Sequence, residues 1–199
     1  MKSIMISIQP KWCAKIASGA KTIEVRKTRP KIETPFRVYV YCTKAKDIRE
    51  DGVYLLPNDS SLYLGIKKED LWFVSNEGDF RNGKVIGEFV CNNIEKFVVG
   101  SLACDDVEKQ ACLSYKEICD YFYGENYDNT VRIGYGWHIS ELKIYDKPKE
   151  LGEFRKPCAA DENCYLCEKS GFTPDMLLDC FNFLTRPPQS WCYVEELEE

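Results

Sequence analysis

Lys21, Glu24 and Arg26 put three charges within six residues of a segment that otherwise reads as a β-strand, Gly19-Ala20-Lys21-Thr22-Ile23-Glu24-Val25-Arg26. An ordinary half-buried strand alternates apolar and polar residues and seldom carries so many charges. A fold that contains this strand has to give its charged face a polar cleft or open water. Alternation places Thr22, Glu24 and Arg26 on one face and Ile23 and Val25 on the other. Lys21 stands at the start, where alternation is not yet set. Gly19 lets the backbone turn sharply just before it, so Lys21 can swing towards the Glu24 face.

The flanking sequence supplies the frame. Ile4, Ile6 and Ile8 mark one face of a strand over residues 2–8. Gln9-Pro10 breaks it, and Pro10 suits the first turn of a helix over residues 11–18. Gly19 then serves as that helix's C-terminal cap. Residues 36–43 predict another strand. Residues 44–83 are polar with apolar islands and read as an insertion tipped by Asn82-Gly83. Residues 84–98 predict one or two strands with a bulge at Gly87. Ser114 caps a helix to Tyr123, with Glu117 completing a capping box and Gly124 ending it. Gly134-Tyr135-Gly136 reads as a turn, followed by a strand over residues 137–145 that Pro148 closes. Beyond Glu150 the texture becomes cysteine-rich and irregular. The expected class is α+β: a mixed β-barrel or strongly curved sheet over residues 1–149, two short helices, and a Cys-rich extension over 150–199.

Composition sets outer bounds. With 44% hydrophobic residues the 199-residue chain can build a core. No apolar run reaches the roughly 18 residues of a membrane-spanning helix, and the first residues lack the pattern of a secretory signal. A cytoplasmic location is expected, where the 11 cysteines stay reduced rather than forming a disulfide framework. The net charge of −5 is unevenly spread. Residues 1–49 hold 12 Lys/Arg against 3 Asp/Glu, and residues 50–199 hold 15 against 29, a basic third of +9 joined to an acidic remainder of −14. The basic third can steer a phosphate-bearing partner to one face; a merely solvated surface is the plain alternative.

Gly19, Lys21, Glu24 and Arg26 match G-x-K-x-x-E-x-R, and in this the chain resembles ASCH domains of the PUA-like superfamily. The resemblance covers roughly residues 2–146. The segments GYGWHISELKIYDKP and RPPQSWCYVEE resemble phage and Firmicute ASCH proteins. It implies a PUA-like barrel that binds or acts on RNA or a modified nucleoside in a cleft bordered by the signature strand. Some small bacterial members hydrolyse N4-acetylcytidine; they share the lysine but have Thr where this chain has Glu24. That difference tilts the reading towards binding. Hydrolysis of an N4-acylated cytidine, or of RNA, is the enzymatic alternative, and protein interaction through the acidic half a weaker third.

Deacylation needs an activated nucleophile, an oxyanion partner and a proton for the leaving amine. Lys21 can act as base if desolvation or Arg26 lowers its proton affinity. Paired with Glu24, it serves better as an oxyanion or phosphate binder, with Glu24 as general base. Arg26 is expected to grip a phosphate or carboxylate with both arms of its fork. A charge ladder on an edge strand is the structural alternative for all three. Trp12, Tyr135 and Trp137 are candidates to stack on an unpaired base, or core residues. His138, the single histidine, is either a packed residue or a donor in the cleft.

Cys158-x5-Cys164-x2-Cys167-x12-Cys180, with Cys192 beyond, puts five cysteines into 35 residues. The C-x2-C pair is half of a structural zinc site, and Cys158 and Cys180 are the expected further ligands. A zinc ion would give this tail, poor in apolar residues, a reason to fold. Coincidence among many cysteines is the alternative, and the remaining cysteines read as small buried hydrophobes.

Overall fold

The computed structural model describes residues 2–44, 83–100, 104–124, 130–157 and 182–197. Strand β1 (Lys2–Ile8) leads through Gln9-Pro10 into helix α1 (Pro10–Ala17), and strand β2 (Ile23–Arg26) follows. Then come β3 (Phe36–Cys42), β4 (Val85–Cys91), β5 (Ile94–Val98), helices α2 (Cys104–Ala111) and α3 (Tyr115–Tyr123), and strands β6 (Ile133–His138), β7 (Ser140–Lys149) and β8 (Trp191–Glu195). The local signals behave as their chemistry requires. Pro10 lies in the first turn of α1, where its missing N–H has no intrahelical partner to lose. Ser114 and Glu117 form a reciprocal capping box at the start of α3.

The described strands form two sheets rather than one closed barrel, a five-stranded sheet in the order β7-β4-β3-β1-β8 and a three-stranded one in the order β2-β6-β5. Only β1 and β3 run parallel among these pairs; the rest are antiparallel. One core fills the space between the sheets. Ile4, Ile6, Ile8, Val38, Val40 and Phe89 meet Trp137 there. A second core lies on the outer face of the small sheet, where Ile23, Val25 and Phe97 pack against Val107, Ile118 and Phe122 of the helices. A third covers the outer face of the large sheet. Here Met5, Tyr39 and Tyr41 meet Phe154, Leu184 and Val194 from the C-terminal segment. The architecture is α+β.

Four expectations change. Among the described residues the predicted pair of α-helices becomes three, because α2 also forms; its sequence, CDDVEKQA, is largely polar, and Val107 and Ala111 are its described buried apolar side chains. The predicted turn at Gly134-Tyr135-Gly136 is part of β6. A Cβ on Gly134 would lie 2.3 Å from the Phe97 ring on β5, so the glycine answers to packing rather than to a turn. The strand expected over 137–145 is divided at Ile139, where the chain passes from the small sheet to the large one. Pro148 does not close it: β7 continues to Lys149. β7 is an edge strand, where the absent N–H breaks no necessary ladder bond. Irregular pairing around Gly87 fits the expected bulge. Most of the insertion over 44–83 lies outside the described residues.

Candidate functional site

The signature begins with a turn. Gly19, at φ +76°, donates its N–H to the Ile16 carbonyl (2.9 Å), and the Lys21 N–H bonds the Lys15 carbonyl (2.9 Å). Glycine accepts this left-handed backbone without strain. The turn carries the chain from α1 into β2 and aims Lys21 inward.

Lys21, Glu24 and Arg26 come together and are buried, at 2%, 7% and 7% exposure. The Lys21 Nζ donates to the Ala111 carbonyl at the end of α2 (2.9 Å) and lies 3.3 Å from Glu24 Oε2. A cation at a helix C-terminus also meets the negative end of the helix dipole. Glu24 Oε1 pairs with Arg26 Nη2 at 2.9 Å. The same Nη2 donates to the Ser7 carbonyl (2.7 Å), and Nη1 reaches the Ser190 carbonyl (3.4 Å) and hydroxyl (3.3 Å). Glu24 sits opposite Trp137 and Arg26 opposite Tyr135 in the β2–β6 register. The charged face of β2 therefore looks into the space between the sheets.

This geometry alters the role expected of Arg26. Both terminal nitrogens are engaged by Glu24, Ser7 and Ser190, so neither arm is free to grip an anion. Arg26 is a clamp joining β2 to β1 and to the segment before β8. Its buried Nε has no hydrogen-bond partner among the described residues. Each Glu24 oxygen also faces a cation. The Lys21 ammonium has three donors, and the described residues offer the third only the Trp12 ring, 5.5 Å away.

The aromatic candidates divide. Trp12 is half-buried on α1, with the Lys11 and Lys21 ammonium groups 4.3 and 5.5 Å from its ring. Trp137 is 0% exposed, edge-on to Phe36 and tilted against Trp191; a ring so enclosed is core and has no face for a base. Tyr135 is half-buried at the margin of the same core. His138 stands opposite Ile23, on the other face of β2–β6 from Glu24, with Nε2 3.6 Å from Glu95 Oε2. It does not join the cluster, because alternation turns it away.

Several participants had no pattern to announce them. Ser7, Ala111 and Ser190 contribute mainly through the backbone, from three distant segments. Cys13 lies against Cys42 near the cluster, its thiol pushed up by burial first and then by Cys42 and Glu24. Burial raises the phenol of Tyr121 on α3 above the ordinary range, and its ring lies 4.9 Å from the Lys27 ammonium. Lys11 bonds Glu117 across the α1–α3 gap at 2.8 Å. That bond and the Ser114 N–H hold the Glu117 carboxyl down to about 2.

Cys158, Cys164, Cys167 and Cys180 lie outside the described residues. Cys13, Cys42, Cys91, Cys112, Cys119 and Cys192 are not joined in disulfides. Among the described residues no group of three or more His, Cys, Asp or Glu is placed to hold a metal, and no helix is long and apolar enough to cross a membrane.

No protein-family model and no curated protein sequence matches the chain. Solved structures do. The chain is similar to the ASCH protein of Zymomonas mobilis, at 16% identity and a TM-score of 0.53, over 98% of this chain and 88% of that one. Tyr→Phe and Ser→Ala variants of that protein match at 17% and 16% identity, each with a TM-score of 0.53 and 98% of this chain covered; 92% and 89% of their own chains are covered. The fold is that of an ASCH domain.

Proposed function

We propose that the chain binds RNA or a modified nucleoside, with the Lys21–Glu24–Arg26 cluster receiving an anionic group. One observation carries this reading: among the described residues two cations and one carboxylate are buried together, one positive charge in excess. Buried charge without a counter-charge is expensive, by several kcal/mol per ion on a rough scale. A phosphate or carbonyl oxygen approaching Lys21 would supply what the cluster lacks. The ASCH fold and the basic first third of the chain point to a nucleic acid as the source of that group.

The hydrolytic alternative asks more of the same residues. For Glu24 to take a proton from water or substrate it must give up a contact to Lys21 or Arg26. For Lys21 to act as nucleophile or base it must leave Ala111 and Glu24. Binding requires neither change.

The test is binding of a labelled single-stranded RNA across a salt series. Affinity is expected to fall steeply with salt. Lys21→Met, which keeps the volume and leaves the Glu24–Arg26 pair intact, should weaken binding about tenfold or more. Wild-type affinity in a folded Lys21→Met protein would refute the reading.

A further inference from the structure

Glu117 and Tyr121 are four residues apart on α3 and so project from one face of the helix. Glu117 crosses to α1 and bonds Lys11. Tyr121 crosses to the end of β2, where its ring lies 4.9 Å from the Lys27 ammonium. On the facing helix, Trp12 is the neighbour of Lys11 and covers Lys21. An aromatic ring thus stands on each side of the charged strand, Trp12 from α1 and Tyr121 from α3. The Lys11–Glu117 pair bridges the two helices that carry them.

Tyr121 is the more accessible of the two rings. It is 40% exposed, against 7% or less for Lys21, Glu24 and Arg26. Its ring lies against Lys27, the residue that follows Arg26 at the end of β2. The core does not need the ring: α3 packs inward through Ile118, Cys119 and Phe122. Tyr121 meets that layer edge-on at Phe122. A large aromatic left half in water beside a buried cationic cluster fits a ligand that joins a flat ring to an anion.

We propose that Tyr121 is a specificity-determining residue of the site, stacking on an unpaired base while the Lys21 cluster holds the attached anionic group. The proposal rests on the nucleic-acid reading above and adds to it the selection of strands that carry a base. It also gives Lys27 a place beside the base, where its ammonium can meet the next phosphate.

The experiment compares binding of a short oligocytidylate with that of an abasic RNA of equal length, by fluorescence anisotropy at fixed salt. Wild-type protein should prefer the base-bearing strand. Tyr121→Ala should lose about tenfold on oligocytidylate and nothing on the abasic strand. Tyr121→Phe should keep the preference, because the ring and not the hydroxyl makes the stack. Tyr121→Leu, which preserves apolar volume against Phe122, should behave as Tyr121→Ala and excludes unfolding as the cause. An unchanged preference in folded Tyr121→Ala would overturn this proposal alone. So would equal binding of both strands by the wild type. Failure of the wild type to bind either strand would overturn the nucleic-acid reading, and this inference with it.

Discussion

Glu24 has both oxygens committed to cations, 3.3 Å from Lys21 and 2.9 Å from Arg26. Removing its charge leaves two buried cations facing a neutral amide. The Glu24→Gln change is therefore expected to destabilise the protein by about 3 kcal/mol, the scale for breaking a buried ion pair from one side. The urea midpoint should fall with an unchanged slope. A shift below about 1 kcal/mol, the scale of a surface pair, would mean that the cluster is solvated in solution. At this scale the sequence was informative about membership and silent about role. The G-x-K-x-x-E-x-R spacing located Lys21, Glu24 and Arg26, because three charges on a short strand demand an explanation. It did not reveal that Arg26 spends its fork inside the protein, since the groups that occupy it belong to Ser7 and Ser190. Nor did it single out Tyr121, whose one signal is its four-residue spacing from Glu117.

Among the elements, β6 shows how a strand can look like a turn. Gly134 and Gly136 are absent from most strands because glycine weakens them, yet here Gly134 makes room for Phe97 of the neighbouring strand. Gly134→Ala is expected to destabilise by about 1–3 kcal/mol, as overpacking does. Combining it with Phe97→Leu should cost less than the two single changes added together, which a double-mutant cycle measures. Strict additivity would show that the ring does not set the requirement. The same contrast explains which elements were legible. β1 declares itself through Ile4, Ile6 and Ile8, α1 through Pro10 and Gly19, and α3 through Ser114 and Glu117; these signals lie inside the element they define. β6 depends on a ring in β5, and among its described side chains α2 buries two apolar ones, Val107 and Ala111, so neither carries its own label.

For the molecule as a whole, the C-terminal segment is part of the framework. β8 pairs antiparallel with β1, from Lys2↔Glu195 to Ile6↔Trp191. Phe154, Leu184 and Val194 complete the outer core of the large sheet. Nearby, Glu88 joins Arg37 and Tyr145 beside an open pocket of about 350 Å³, and Arg37 and Tyr39 tie down Glu196 and Leu197. A chain ending at residue 149 would expose Met5, Tyr39 and Tyr41 and leave β1 as a bare edge. It is expected to show no cooperative thermal transition by circular dichroism; a sharp melt would show that residues 1–149 fold alone. The Arg26 clamp adds a matter of timing. Its arms close on Ser7, 19 residues back along the chain, and on Ser190, 164 residues ahead. The signature strand has left the ribosome long before Ser190 is made. Until then Arg26 lacks a partner 164 residues further on, so the nascent chain carries the site's residues before their scaffold is complete.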